Sequence, residues 1–94
     1  FIIQYHHLSG YPTMAHFHLA PIGENGPIIQ TICGSPAPSL LGACPASQSA
    51  TLSGVWSVPE QYRAALMQDK VFINFHTQLN PKGELRGQLS PETD

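Results

Sequence analysis

Nine prolines and eight glycines are spread through only 94 residues, and this punctuation limits the possible folds more than any other feature of the chain. Proline inside a helix removes a hydrogen bond and clashes with the preceding turn, and glycine there carries an entropy cost, so long helices are excluded. Between the breaks lie short apolar stretches. Hydrophobic residues make up 41% of the chain and charged residues 11%, a balance too apolar for disorder. The length suits one domain, spanning residues 1–94, with a core of marginal size. The expectation is a small, loop-rich, mainly all-β domain. No apolar run approaches the roughly 20 residues that a membrane span requires. Four basic against six acidic residues give a formal charge of −2, and no basic run occurs. Nucleic acid and anionic lipid are therefore not expected as partners.

Turn chemistry divides the chain into strands. Residues 1–8 are extended and apolar, and Ser9-Gly10-Tyr11-Pro12 ends them. Residues 14–19 alternate, with Ala15, Phe17 and Leu19 on one face and Met14, His16 and His18 on the other. Gly23-Glu24-Asn25-Gly26 reads as a turn because Asn-Gly tolerates positive φ. Strands are expected again at 27–33, at 50–56, at 71–77 with both faces buried, and at 84–89 after the turn Asn80-Pro81-Lys82-Gly83. One short helix is expected near residues 58–69. Ser57-Val58-Pro59-Glu60 has the form of a capping box, and Tyr62, Ala65 and Leu66 share one side. A polar tail at 90–94 is expected to fray.

Two cysteines, Cys33 and Cys44, flank a segment rich in Pro and Gly. Their spacing is too wide for the usual metal or redox pairs and suits a disulfide closing a surface loop. Such a bond implies an oxidising compartment, extracellular or periplasmic. Glu84 and Arg86 are two apart on one strand and are expected to form a structural ion pair. No second carboxylate or nucleophile elbow accompanies them, so no catalytic residues are assigned and the chain is not expected to be an enzyme.

The histidines are the chemical anomaly. Five of them outnumber the four Lys and Arg, and they lie as His6-His7, His16-Phe17-His18 and the isolated His76. Residues i and i+2 of a strand point the same way, about 6.5–7 Å apart at Cα, so two imidazoles so placed can converge on one ion. His76 supplies a third nitrogen if its strand lies beside that of His16 and His18. His6 and His7 point to opposite faces, so only one of them can join as a fourth ligand. An all-imidazole set suits Cu(II) or Zn(II) and fits Ca²⁺ or Mg²⁺ badly. Met14 shares the face of His16 and His18 and is a candidate soft axial ligand to copper, although core filling is the commoner use of such a residue. Ordinary polar residues on a half-solvated strand are the competing reading of the histidines. Redox catalysis at a copper ion would further need an open coordination position.

Four blocks then occur in order: Ala15-His16-Phe17-His18; Gly26-Pro27-Ile28-Ile29; Val71-Phe72-Ile73-Asn74-Phe75-His76-Thr77; and Gly83-Glu84-Leu85-Arg86-Gly87-Gln88-Leu89. With Leu8-Ser9-Gly10 ahead of them, they resemble the CHRD domain, the module repeated in chordin and found alone in many secreted proteins. The resemblance covers about residues 5–90. It implies an extracellular, immunoglobulin-like antiparallel β-sandwich or barrel, and His16, His18 and His76 fall where that family's pattern also has histidine. His6, His7 and the Cys33/Cys44 loop depart from it. More distantly the architecture is similar to copper/zinc superoxide dismutase, whose H-x-H strand provides metal ligands, an analogy that transfers no activity. Domains of the family usually carry roughly 25–30 more residues before the L-S-G block, enough for two or three strands. Either the domain is N-terminally incomplete, or, if the chain begins at Phe1, the resemblance implies a sandwich lacking N-terminal strands, with an exposed edge that a protein partner, a cleaved companion fragment or self-assembly completes. Two functions follow as expectations: a secreted domain binding copper or zinc, or a metal-free structural module assembling through its edge.

Overall fold

The computed structural model describes residues 1–90 of the chain. Six strands and one helix follow in the order β1 (Ile2–Tyr5), β2 (Pro12–Leu19), β3 (Ile28–Cys33), β4 (Ala50–Ser53), α1 (Glu60–Met67), β5 (Val71–Thr77) and β6 (Leu85–Gln88). A four-stranded sheet of order β3-β2-β5-β6 packs on a two-stranded sheet of β1 and β4, and these strands pair antiparallel throughout. The sheets form an open sandwich and do not close into a barrel. The expected tail at 90–94 lies outside the described residues beyond Ser90.

The period-two pattern decides which side chains meet between the sheets. Ala15, Phe17, Val71, Ile73 and Phe75 face inward from the large sheet and join Tyr5 and Leu52 of the small one in a single apolar core. Phe17 is fully buried, stacks on Trp56 at 4.7 Å and takes the edge of Phe1 at 5.5 Å. Burying a side chain of that size stabilises by roughly 1.5–3 kcal/mol, and the stacked pairs add to it. β5 has both faces covered, as expected: six of its seven residues are buried.

Local chemistry departs from expectation in three places. The helix starts at Glu60 with Pro59 at its N-cap, and no side chain caps it. Glu60 therefore occupies the first helical position rather than the third, and the Ser57 capping box does not form. Tyr62, Ala65 and Leu66 are nevertheless the half-buried side of that helix. In the β2–β3 connection, positive φ falls on Gly23 (83°) and not on the Asn25-Gly26 pair. Gly26 is needed for a different reason: a Cβ there would strike the carbonyl of Leu19. Strand β4 also ends at Ser53, short of the expected residue 56.

The disulfide joins Cys33 to Cys44 as the spacing suggests. The loop it closes folds back along the outer edge of β3, where Leu40 N–H donates to Thr31 O (3.2 Å) and Leu41 N–H to Ile32 O (2.9 Å). That edge is thereby covered. The far edges of β6 and β1 carry no strand among the described residues.

Candidate metal centre

The face of the large sheet opposite the core carries the histidines. In β2, the alternation that buries Phe17 inward turns His16 and His18 outward. In β5 the same rule turns out Phe72, Asn74 and His76. The register opposes His16 to Asn74 and Met14 to His76, so His76 is the diagonal neighbour of His16. Ring centroids are 5.8 Å apart for His16 and His18 and 5.1 Å for His16 and His76. One nitrogen from each ring lies within 4.8 Å of the other two.

Each ring is held at its other nitrogen by a backbone carbonyl, and each carbonyl comes from a different loop. His16 Nε2 donates to Ser35 O (2.6 Å), in the disulfide loop. His18 Nδ1 donates to Gly26 O (2.9 Å), between β2 and β3. His76 Nδ1 donates to Pro81 O (2.9 Å), in the β5–β6 turn. A carbonyl only accepts, so the proton of each neutral ring sits on the bonded nitrogen and a lone pair remains on the other. Those lone pairs belong to His16 Nδ1, His18 Nε2 and His76 Nε2, all buried and without a hydrogen-bond partner. Burial lowers the pKa of His16 and of His18, against the raising effect of the carbonyl each one holds. Charge on His76 lowers both further, and the Arg86 guanidinium adds to this at His18. Both rings are thus kept in the neutral form that binds metal.

The surroundings fix these rings further. Phe72 stacks on His18 at 4.8 Å with only 6° between planes, and the Arg86 guanidinium lies 3.6 Å over the Phe72 ring. Met14 is half-buried on the same face, and its sulfur receives the Ser35 hydroxyl at 3.9 Å, against the residue that holds His16. His6 and His7 are not brought to the group. Both are exposed where the chain leaves β1, in the other sheet, and His7 adopts a left-handed backbone (φ 59°) with its N–H bonded to Ser49.

The expected Glu84–Arg86 ion pair is replaced by separate roles. Strand β6 begins only at Leu85, so Glu84 stands outside the ladder and the i, i+2 rule does not align the two side chains. The Glu84 carboxylate accepts hydrogen bonds from Ser9 N–H (2.7 Å), the Ser9 hydroxyl, Thr77 Oγ1 (2.7 Å) and Asn80 Nδ2 (2.9 Å). These bonds, those from Ser9 first, hold its pKa down to about 2. Arg86 instead donates to the carbonyls of Glu24 and Pro21 beside the β2–β3 turn.

The carbonyls of Ser35, Gly26 and Pro81 went unnoticed in the sequence because a backbone acceptor leaves no side-chain signature. The Arg86–Phe72–His18 stack went unnoticed because it crosses three strands. Comparison with known proteins gives one positive finding: the family model of the CHRD domain matches residues 1–89. No curated protein and no solved structure matches.

Proposed function

We propose, for a chain that belongs to the CHRD domain family, that it is a secreted binding domain holding one copper or zinc ion through His16, His18 and His76. The CHRD domain is an extracellular-type module, and the Cys33–Cys44 disulfide suits that compartment. The observation that carries the metal reading is that three histidines with ring nitrogens within 4.8 Å of one another each keep one buried nitrogen without a partner. Leaving a buried acceptor unpaired costs about 1–3 kcal/mol, and three such atoms in one place are expected only where something shared satisfies them. A metal ion does so, and the carbonyl behind each ring is the outer partner that metal-binding histidines ordinarily have. Nitrogens bound to one ion at about 2.0–2.1 Å lie about 3.3–3.6 Å from one another, so the rings need to converge only slightly.

The test is metal content by mass spectrometry on protein purified without chelator or histidine tag. About one copper or zinc per chain is expected, with loss in the His16→Ala variant. A His16→Ala protein that retains metal at the wild-type level sinks the proposal.

A second reading, self-assembly through a sheet edge, is favoured by one specific feature. Phe1 and Gly54 exchange both backbone hydrogen bonds (2.8 and 3.1 Å). Antiparallel alternation then turns the N–H and C=O groups of Ile2 and Gln4 away from β4. Both residues line an apolar cleft of about 820 Å³ floored by Phe17 and Ile73 and bounded beyond by Gly87 and Leu89 at the free edge of β6. An extended strand from a second copy is the occupant that such an edge accepts. Sedimentation of the purified chain over a concentration series checks it. A strictly monomeric, fully folded chain removes this reading and leaves the metal site untouched.

A further inference from the structure

The three free nitrogens share a property that discriminates between ions. His16 Nδ1, His18 Nε2 and His76 Nε2 are each closed to solvent. A fourth ligand from water would have to open the cluster. Zinc in protein sites takes four ligands, and in catalytic sites a water completes the set. Cu(II) favours square-planar or tetragonal surroundings, which also need more than three donors. Monovalent copper has a filled d shell with no such preference and is content with two or three ligands.

Charge points the same way. Every ligand in the group is an imidazole, which brings no negative charge, and the group includes no carboxylate or thiolate among the described residues. Both cysteines are tied in the disulfide. The nearest ionised group along the stack is a cation, Arg86, seated over the Phe72 ring that stacks on His18. The desolvation cost of an ion rises with the square of its charge, so burying a dication among neutral donors costs about four times as much as burying a monocation. The Glu84 carboxylate, eight residues beyond His76, is engaged with Ser9, Thr77 and Asn80.

We infer that the ion this cluster selects is monovalent copper, held in a three-coordinate, water-free site by His16 Nδ1, His18 Nε2 and His76 Nε2. The inference rests on the metal-binding reading above and adds the oxidation state and the coordination number. A site of this kind stores or hands on reduced copper and keeps it from solvent.

The experiment uses the full chain, freed of metal and titrated anaerobically with Cu(I) against bicinchoninate, then with Zn(II) and Cu(II) against chelators of known affinity. One equivalent of Cu(I) is expected to bind, about a hundredfold or more tighter than Zn(II). X-ray absorption is expected to report three nitrogen neighbours and no water. The His76→Ala variant should lose Cu(I) binding, with circular dichroism confirming that it is folded. Arg86→Gln leaves all three ligands in place and should shift the Zn(II)/Cu(I) preference toward zinc by about tenfold, because it removes a positive charge that acts more strongly on a dication. Tighter binding of Zn(II) or Cu(II), in a four-coordinate site with water, overturns the monovalent assignment and leaves the metal site standing. Binding of no ion at all overturns both.

Discussion

The two faces of the four-stranded sheet are made by the same strands and obey opposite rules. The inner face, built on Phe17, Ile73 and Phe75, buries groups that ask nothing of their neighbours except contact. The outer face, built on His16, His18 and His76, buries groups that each need two partners and receive one from the protein. Apolar packing is forgiving of small shifts and is complete without a ligand. The histidine face is complete only if something joins the three nitrogens, and the burial that keeps two of these rings neutral makes the missing partner more costly.

Removing the inner contacts should have the largest effect. Phe17→Ala deletes a fully buried ring and its two aromatic partners. It should lower unfolding free energy by about 3–5 kcal/mol, read by urea denaturation. A loss below about 1 kcal/mol would mean that the inner face does not carry the fold. Next is the link between the faces. Cys33 is fully buried at the inner end of β3, and its loop delivers Ser35 to His16. Replacing both cysteines by serine opens a loop with a sequence separation of 11 and should cost about 3 kcal/mol in thermal unfolding. Metal affinity should fall with it, and unchanged affinity would show that the Ser35 carbonyl does not depend on the tether.

The outer face is probed by ion removal. A chelator should lower the stability of the metal-loaded chain by about 2.7 kcal/mol when free metal had stood at 100 times Kd, and should leave the stability of His16→Ala unchanged. Equal responses of the two proteins would break the comparison, since the histidine face would then hold nothing.

Acid separates the two regions most finely. His16 and His18 have lowered folded pKa values, so the unfolded chain takes up protons first. Their part of the stability is full above the ordinary value of 6.5 and declines as pH falls below it. Glu84 acts in a lower window, with its contribution intact above 4.5 and lost as pH falls toward about 2. This carboxylate lies at the surface, so its share is the smallest of the four effects. Stability measured against pH should show two declines, and Glu84→Gln should flatten only the lower one. A single decline common to both proteins would mean that the Ser9–Thr77–Asn80 clamp is not formed in solution.

Much of this was legible because it is periodic. The alternation of residues 14–19 placed His16 and His18 opposite Phe17, and the β-branched and aromatic residues of Val71–Thr77 marked that strand with its bounds. The cysteine spacing announced its loop. Errors arose where the outcome depended on one or two residues at a boundary. Glu60 takes the first helical position because the helix begins after Pro59, so its capping motif has no function. Glu84 lies one residue outside β6, and that offset exchanges an ion pair with Arg86 for a clamp on Ser9. His6 and His7 share the composition of the site and none of its position, because they leave β1 of the other sheet.

The sequence by itself determined which side of each strand every residue occupies, since side-chain direction in an extended chain is a local property repeated every two residues. It therefore determined that His16 and His18 leave the core together and that Phe17 enters it. Only the tertiary structure decided that His76 stands diagonally across from His16, that three separate loops each offer one carbonyl, and that the remaining nitrogens are shut from water. Register and loop closure relate segments far apart in the chain, as His16 and His76 are 60 residues apart. They are set by how the whole core packs, which no stretch of the chain encodes alone.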